Sequence, residues 1–138
     1  MSNEPIPSQV FVDTGGFYAL SDPRDDDHQA ARRIQTQLAD TRSRLFTSNF
    51  IIDEAYTLHL VRANYHAAIA FLDSVTASPL TIVRITPDDE LRAQELLRTF
   101  SDKRYSYTDA TSFAVMDRLN LTHAFTFDHN FEQYGKIL

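Results

Sequence analysis

An α/β domain with a central, mostly parallel sheet flanked by helices on both faces is the fold this sequence predicts, on three observations. Short runs of β-branched and aromatic residues alternate along the chain with longer stretches of helical periodicity, the order that builds a parallel sheet through helical crossovers. The first run, Val10-Phe11-Val12, is continuously apolar, as a strand covered on both faces requires. The chain has 138 residues, enough for a single domain to bury most of its apolar surface.

The elements follow in order. Residues 1–8 carry Pro5 and Pro7 and little apolar content, so a short leader is expected there and the folded domain over residues 9–138. Gln9 to Asp13 is the first strand, with Gly15-Gly16 marking its end. Asp25-Asp26-Asp27 precede a helix in which Ala30, Ala31, Ile34 and Leu38 share one face; acids there complement the helix dipole and read as a solvated helix start. Arg44 to Thr47 is a short strand. Ser48 or Asn49 then caps a helix through Ile52, Ala55, Tyr56 and His59 toward Val61, with Glu54 in its second turn. Tyr65 to Val75 forms another helix, broken by Ser78-Pro79, and Leu80 to Ile85 a β-branched strand. Thr86-Pro87-Asp88-Asp89 starts a helix expected to turn Leu91, Leu97 and Phe100 inward. Ser101 to Tyr107 is polar and reads as a loop. Thr108 is the expected cap of the next helix, whose buried side carries Ala110, Phe113, Ala114 and Leu119, which puts Asp109 in its first turn. Thr122 to Phe127 is the last expected strand, with Asp128 at its C-terminal end.

Composition narrows the function. Apolar residues make up 43% and charged residues 23%, which points to neither a disordered nor a membrane protein. No apolar run is long enough to cross a bilayer, and Met1-Ser2-Asn3-Glu4-Pro5 lacks the basic and apolar regions of a signal peptide; a cytoplasmic protein without a membrane partner is expected. The absence of cysteine excludes disulfides, thiolate zinc sites and cysteine nucleophiles. A net charge of −6 argues against a protein that coats nucleic acid by bulk electrostatics, but not against a nuclease that gathers cations locally.

Acidic residues carry the chemistry. Asp13, Glu54, Asp109 and Asp128 each end or abut an apolar stretch, where a carboxylate is costly unless a cation, hydrogen bond or solvent compensates it. In open parallel sheets, ligands bind beyond the carboxyl ends of the strands, where Asp13 and Asp128 fall. If their strands are neighbours, the two carboxylates repel and a divalent ion relieves them. Hard oxygen donors favour Mg2+ or Mn2+, and such an ion supports phosphodiester cleavage. Taken singly, each acid has a plainer reading: Asp109 as a helix-start charge, Asp13 and Asp128 as turn residues, Glu54 on a solvated helix face.

The segments Phe11-Val12-Asp13-Thr14-Gly15-Gly16-Phe17-Tyr18-Ala19-Leu20, Thr47-Ser48-Asn49-Phe50-Ile51-Ile52-Asp53-Glu54, Tyr105-Ser106-Tyr107-Thr108-Asp109-Ala110 and Phe125-Thr126-Phe127-Asp128-His129-Asn130-Phe131, in this order, resemble the PIN domain, especially the VapC-like toxin ribonucleases. The resemblance spans nearly the whole chain and implies a compact sheet between helices with an acidic pocket for Mg2+ or Mn2+. It makes Asp13, Glu54, Asp109 and Asp128 the catalytic acids, with Asp13, Asp109 and Asp128 as metal ligands. Thr14 and Thr108 become supporting hydroxyls, and Asn130 stands where many relatives carry a further aspartate. An amide brings an oxygen but no charge, so one ion in the free protein is expected, with another arriving with RNA. The implied partners are an RNA substrate, a small antitoxin protein and a second copy of the chain, with Phe50, Tyr56 and Leu60 as contact residues or, equally, core. Arg98, Lys103 and Arg104 are candidate phosphate contacts and Tyr105 or Tyr107 candidate base-stacking residues, against the reading of a plain solvated loop.

The function expected is thus a metal-dependent endoribonuclease acting as a toxin. The alternatives are a non-catalytic PIN-like RNA-binding module and an RNA-processing nuclease without an antitoxin. Asp13-Thr14-Gly15 also matches the short signature of aspartic proteases, but those enzymes pair two such triplets on β-rich lobes. Gly15-Gly16 alone is no phosphate-binding loop, and the five histidines show no zinc-protease spacing.

Overall fold

In the computed structural model, residues 5–133 and 136–138 are described. These residues form one sheet of five strands: β1 (Gln9–Val12), β2 (Arg44–Ser48), β3 (Thr81–Val83), β4 (His123–Phe125) and β5 (Lys136–Ile137), in the order β3-β2-β1-β4-β5, every pairing parallel. Among the described residues, six α-helices make the crossovers: α1 (Thr14–Ser21) and α2 (His28–Asp40), α3 (Asn49–Arg62) and α4 (Tyr65–Ala77), α5 (Pro87–Thr99) and α6 (Tyr107–Leu119). A 3-10 turn, His129–Gln133, joins β4 to β5.

The register explains the two-sided core. Phe11 pairs beside Phe46 and Ala124, and these three face Leu96, Phe113, Met116 and Phe131 on the α5/α6 side. Val10, Val12 and Phe125 point the other way, onto Ala19, Ala31 and Leu38 of α1 and α2. The period of two sends alternate residues to opposite layers, so a continuously apolar β1 is what a doubly covered strand needs. Phe11, Phe113, Phe125 and Phe131 are fully buried, each worth roughly 1.5–3 kcal/mol of transfer free energy.

Several expectations are corrected. Gly15-Gly16 does not merely end β1 but lies inside α1. Two glycines make poor helix formers, and here packing overrides propensity: a Cβ on Gly16 would meet the Phe125 carbonyl oxygen at 2.5 Å. Leu91 is exposed, not inward. The buried stripe of α5 runs through Asp89, Ala93 and Leu96, and Leu91 lies about 200° around the helix from Ala93. Asp89 joins that stripe because the Arg118 guanidinium meets it at 2.9 Å through both nitrogens, Nε and Nη2, while Asp89 also closes the Thr86 capping box. That pair fastens the start of α5 to the end of α6. β5 and the 3-10 turn lie beyond the last predicted strand. Of the expected leader, residues 1–4 lie outside the described residues, whereas Ile6 packs on the Val10–Val12 side of the core and the Pro7 carbonyl accepts from Ser43 Oγ at 2.7 Å. Among the described residues, no helix is long and apolar enough to cross a membrane.

Candidate functional site

β1 is the pivot of the sheet. The chain leaves it toward β2 and β3 on one side, then returns to lay β4 on the other, so the crevice beyond the ends of β1 and β4 is the topological switch point where open α/β sheets bind ligands. Asp13 directly follows β1 there, and Asp128 lies three residues past β4 rather than at its end.

Asp13 is 5% exposed. Its backbone N–H donates to the Phe125 carbonyl at 3.1 Å, and its Oδ2 accepts from the Thr126 hydroxyl at 2.8 Å. The same Thr126 oxygen accepts from the Asp128 N–H at 3.0 Å, so one fully buried hydroxyl links the Asp13 carboxylate to the Asp128 backbone. Asp128 Oδ1 in turn accepts from the Asn130 N–H at 2.9 Å, an Asx-type turn that fixes its side chain. Asn130 therefore acts in this turn through its backbone.

The other two acids arrive on helix starts. Ser48 caps α3, accepting from the Ile51 N–H at 3.1 Å, and Glu54 in the second turn accepts from the Thr14 hydroxyl at 2.6 Å. Asp109 is the third residue of α6, where it closes a capping box with Ser106: the Asp109 N–H reaches Ser106 Oγ and the Ser106 N–H reaches Asp109 Oδ2, both at 3.0 Å. The cap is thus Ser106 and not Thr108, because the reciprocal bond needs an acid three residues on. Thr108 instead offers its carbonyl to the Thr111 and Ser112 hydroxyls. The Ser106-Tyr107-Thr108-Asp109 spacing was the signal for that cap.

Electrostatics unite what distance leaves apart. Burial pushes the Asp13 carboxyl up to about 7, against the Thr126 hydroxyl and Thr14 N–H that lower it, with Asp109 and Glu54 raising it further. Burial also raises Asp109, opposed by the Ser106 backbone and reinforced by Asp128 and Glu54. Among the described residues, no three His, Asp or Glu side chains already converge on one point as a finished ion cage. What joins them is charge and a shared hydrogen bond: Asp13 feels Asp109 and Glu54, Asp109 feels Asp128 and Glu54, and Thr126 bridges Asp13 to the Asp128 N–H. In donor chemistry they fit a hard divalent ion: oxygen-only, acidic, and with the Asp13 anion disfavoured first by its burial and then by its neighbours' like charge, both of which a cation offsets.

Thr126 escaped the sequence reading. A hydroxyl two residues before an acid is a weak pattern, and its importance comes from β4 lying beside β1. The candidate phosphate contacts Arg98, on the last turn of α5, and Lys103 and Arg104, in the following loop, are all exposed. Tyr105 is buried against Phe113 and Phe100, whereas Tyr107 is exposed. Phe50 and Tyr56 are partly buried and Leu60 is exposed. A separate apolar groove of about 730 Å³, lined by Phe17, Leu38, Leu45, Phe71, Val75 and Leu80 among others, includes none of the four acids.

Known proteins resemble this chain over nearly its full length. The PIN domain family model matches residues 10–137. The 23S rRNA-specific endonuclease VapC20 of Mycobacterium tuberculosis (strain ATCC 25618 / H37Rv) is 33% identical over 128 residues, covering 93% of this chain and 95% of that protein. A VapC ribonuclease of Archaeoglobus fulgidus is 31% identical over 115 residues, 81% of this chain and 72% of the relative. The crystal structure of Mycobacterium tuberculosis VapC20, a Sarcin-Ricin loop cleaving toxin, superposes with a TM-score of 0.83 at 32% identity, covering 93% of this chain and 96% of that one. VapBC2 from Rickettsia felis, bound to a DNA fragment from their promoter, matches with a TM-score of 0.68 at 14% identity over 94% and 96% of the two chains, a likeness of fold alone.

Proposed function

This chain belongs to the PIN domain family, among its VapC-like members, and on that premise we propose that it is a metal-dependent endoribonuclease, the toxin of a toxin-antitoxin pair. The observation that carries the reading is a buried Asp13 at the switch point of the sheet, sharing a hydroxyl with Asp128 and the electrostatic field of Glu54 and Asp109.

Asp13, Asp109 and Asp128 are the residues to hold Mg2+ or Mn2+, with the Asn130 amide as a neutral neighbour. When bound, the ion supplies Lewis acidity, lowering the pKa of a water molecule and stabilising charge on the leaving oxygen of the phosphodiester. The Thr126 hydroxyl and the Thr14 N–H orient the Asp13 carboxylate, whose remaining lone pairs are the ones to meet a ligand. Glu54, oriented by Thr14, completes the pocket and accepts a proton from the attacking water. Arg98, Lys103 and Arg104 supply local positive charge for phosphates. Because the VapC20 relative is named for 23S rRNA, a structured ribosomal stem-loop is the first substrate to test. The apolar groove, with Arg42 and Arg44 on its lining, supports a protein partner such as a small antitoxin, and exposed Leu60, Val61 and Tyr65 support a homodimer.

The test is cleavage of total RNA by the purified protein, with ends mapped. Cleavage should vanish in chelator, return with Mg2+ or Mn2+, and be absent from Asp13→Asn. Cutting that survives both the chelator and the substitution would remove the proposal.

A further inference from the structure

Two aromatic rings meet across the starts of α3 and α6, the helices that carry Glu54 and Asp109. Phe50, the second residue of α3, and Tyr107, the first of α6, stack with centroids 6.4 Å apart and planes 30° from parallel. Glu54 lies one turn beyond Phe50 on the same helix face, and Asp109 shares the first turn of α6 with Tyr107. The pair is therefore carried by the same two helix starts that carry two of the site acids. Tyr107 is 39% exposed.

The tyrosine is held rather than loose. Its hydroxyl donates to Glu90 Oε1 at 2.9 Å and accepts from Gln94 Nε2 at 3.4 Å. Both hydrogen-bonding functions of the hydroxyl are thus engaged within the protein, and what remains for a ligand is the ring face. A face binds by stacking, which tolerates any base, and not by reading a base edge. Stacking also answers a problem of charge: a chain of net charge −6, with carboxylates lining its crevice, gains little from bulk attraction to RNA.

We propose that Phe50 and Tyr107 form a stacking platform for an unpaired nucleobase next to the scissile phosphate, an inference that rests on the ribonuclease reading above. The platform selects for an unstacked base at one position and against duplex RNA. Preference among bases follows stacking strength, purines ahead of pyrimidines.

The test uses wild type, Tyr107→Leu, Phe50→Leu and Tyr107→Phe, with thermal unfolding as a check that each folds. Leucine preserves apolar contact between the helices but removes the aromatic face. The probes are a fluorescein-labelled oligouridine with one adenosine and the same strand with that adenosine made abasic, the position being moved along the strand. Anisotropy is read in EDTA, where no cleavage is expected, and kcat/KM with Mg2+. At one position the abasic change should weaken wild-type binding roughly tenfold, Tyr107→Leu or Phe50→Leu should cost a similar factor on the intact strand, and the two losses should not add. Tyr107→Phe, which keeps the ring but loses its hydroxyl anchor to Glu90 and Gln94, should lose less binding than Tyr107→Leu. Additive losses, or leucine variants that bind and cleave like wild type, would overturn the platform. So would a changed sedimentation mass with unaltered RNA binding, which would assign the rings to a protein contact. Base-dependent, Tyr107-dependent binding without Mg2+-dependent cleavage would keep the platform and sink the nuclease reading; the reverse pattern would do the opposite.

Discussion

Asp13 is the most constrained side chain of the site, and its burial has a measurable cost in the metal-free protein. Its folded carboxyl, near 7, lies above the ordinary value of 3.8, so the folded state holds a proton that the unfolded chain has released over the intervening range. Below about pH 3 both states are protonated and Asp13 costs nothing; as pH rises toward 7 stability falls, and above 7 the full cost is present. In EDTA, Asp13→Asn should therefore unfold at higher urea than wild type at pH 8, by a few kcal/mol, and at the same urea near pH 3. Equal midpoints across that range would show that Asp13 is not electrostatically strained. Thr126 acts through its neighbours. With its oxygen accepting from the Asp128 N–H, its proton is directed to Asp13. Thr126→Val should lower kcat/KM at neutral pH roughly 10- to 100-fold, with the acidic limb of the rate profile moved to higher pH, and Thr126→Ser should restore it. An unmoved profile would reduce Thr126 to packing.

At the scale of elements, the close approach of α1 to β4 sets the site. The two neighbouring glycines separate packing from propensity. Gly15 has room for a methyl group, its nearest contact being the Phe127 nitrogen at 3.7 Å, so Gly15→Ala should stabilise by about 0.5–1 kcal/mol through helix propensity. Gly16→Ala drives a methyl group into a strand carbonyl at 2.5 Å, and should destabilise by roughly 2 kcal/mol or more while loosening the Asp13–Thr126 contact. Denaturation midpoints of the two variants moving the same way would contradict this account. Helix starts were readable where the capping chemistry is local, as at Thr86-Pro87 and Ser48. At α6 the neighbouring hydroxyl Thr108 drew attention from Ser106, whose spacing to Asp109 makes the reciprocal box. Leu91 shows the same limit from the packing side: an apolar residue on a helix says little about which of its faces the neighbouring α6 covers.

For the whole molecule, folding gathers acids from four distant segments and holds them against their mutual repulsion, and a bound cation should repay that. Titrating Mg2+ or Mn2+ into wild type should raise the melting temperature by roughly 10 °C at a hundredfold excess over Kd, about 2.7 kcal/mol, and continue to rise logarithmically with ion concentration. Asp13→Asn should respond much less. A flat wild-type titration would leave the acids as structural charges.

By itself the sequence determined the alternation of strands and helices, the continuously apolar β1 and the four acids at or near element ends, because each follows from local periodicity, capping and solvation of the residues concerned. That β1 and β4 lie side by side, that Gly15-Gly16 sit in a helix and that Thr126 joins Asp13 to Asp128 was decided only in tertiary structure. These are contacts between segments more than a hundred residues apart, and their energy comes from close packing and shared hydrogen bonds that no local pattern encodes.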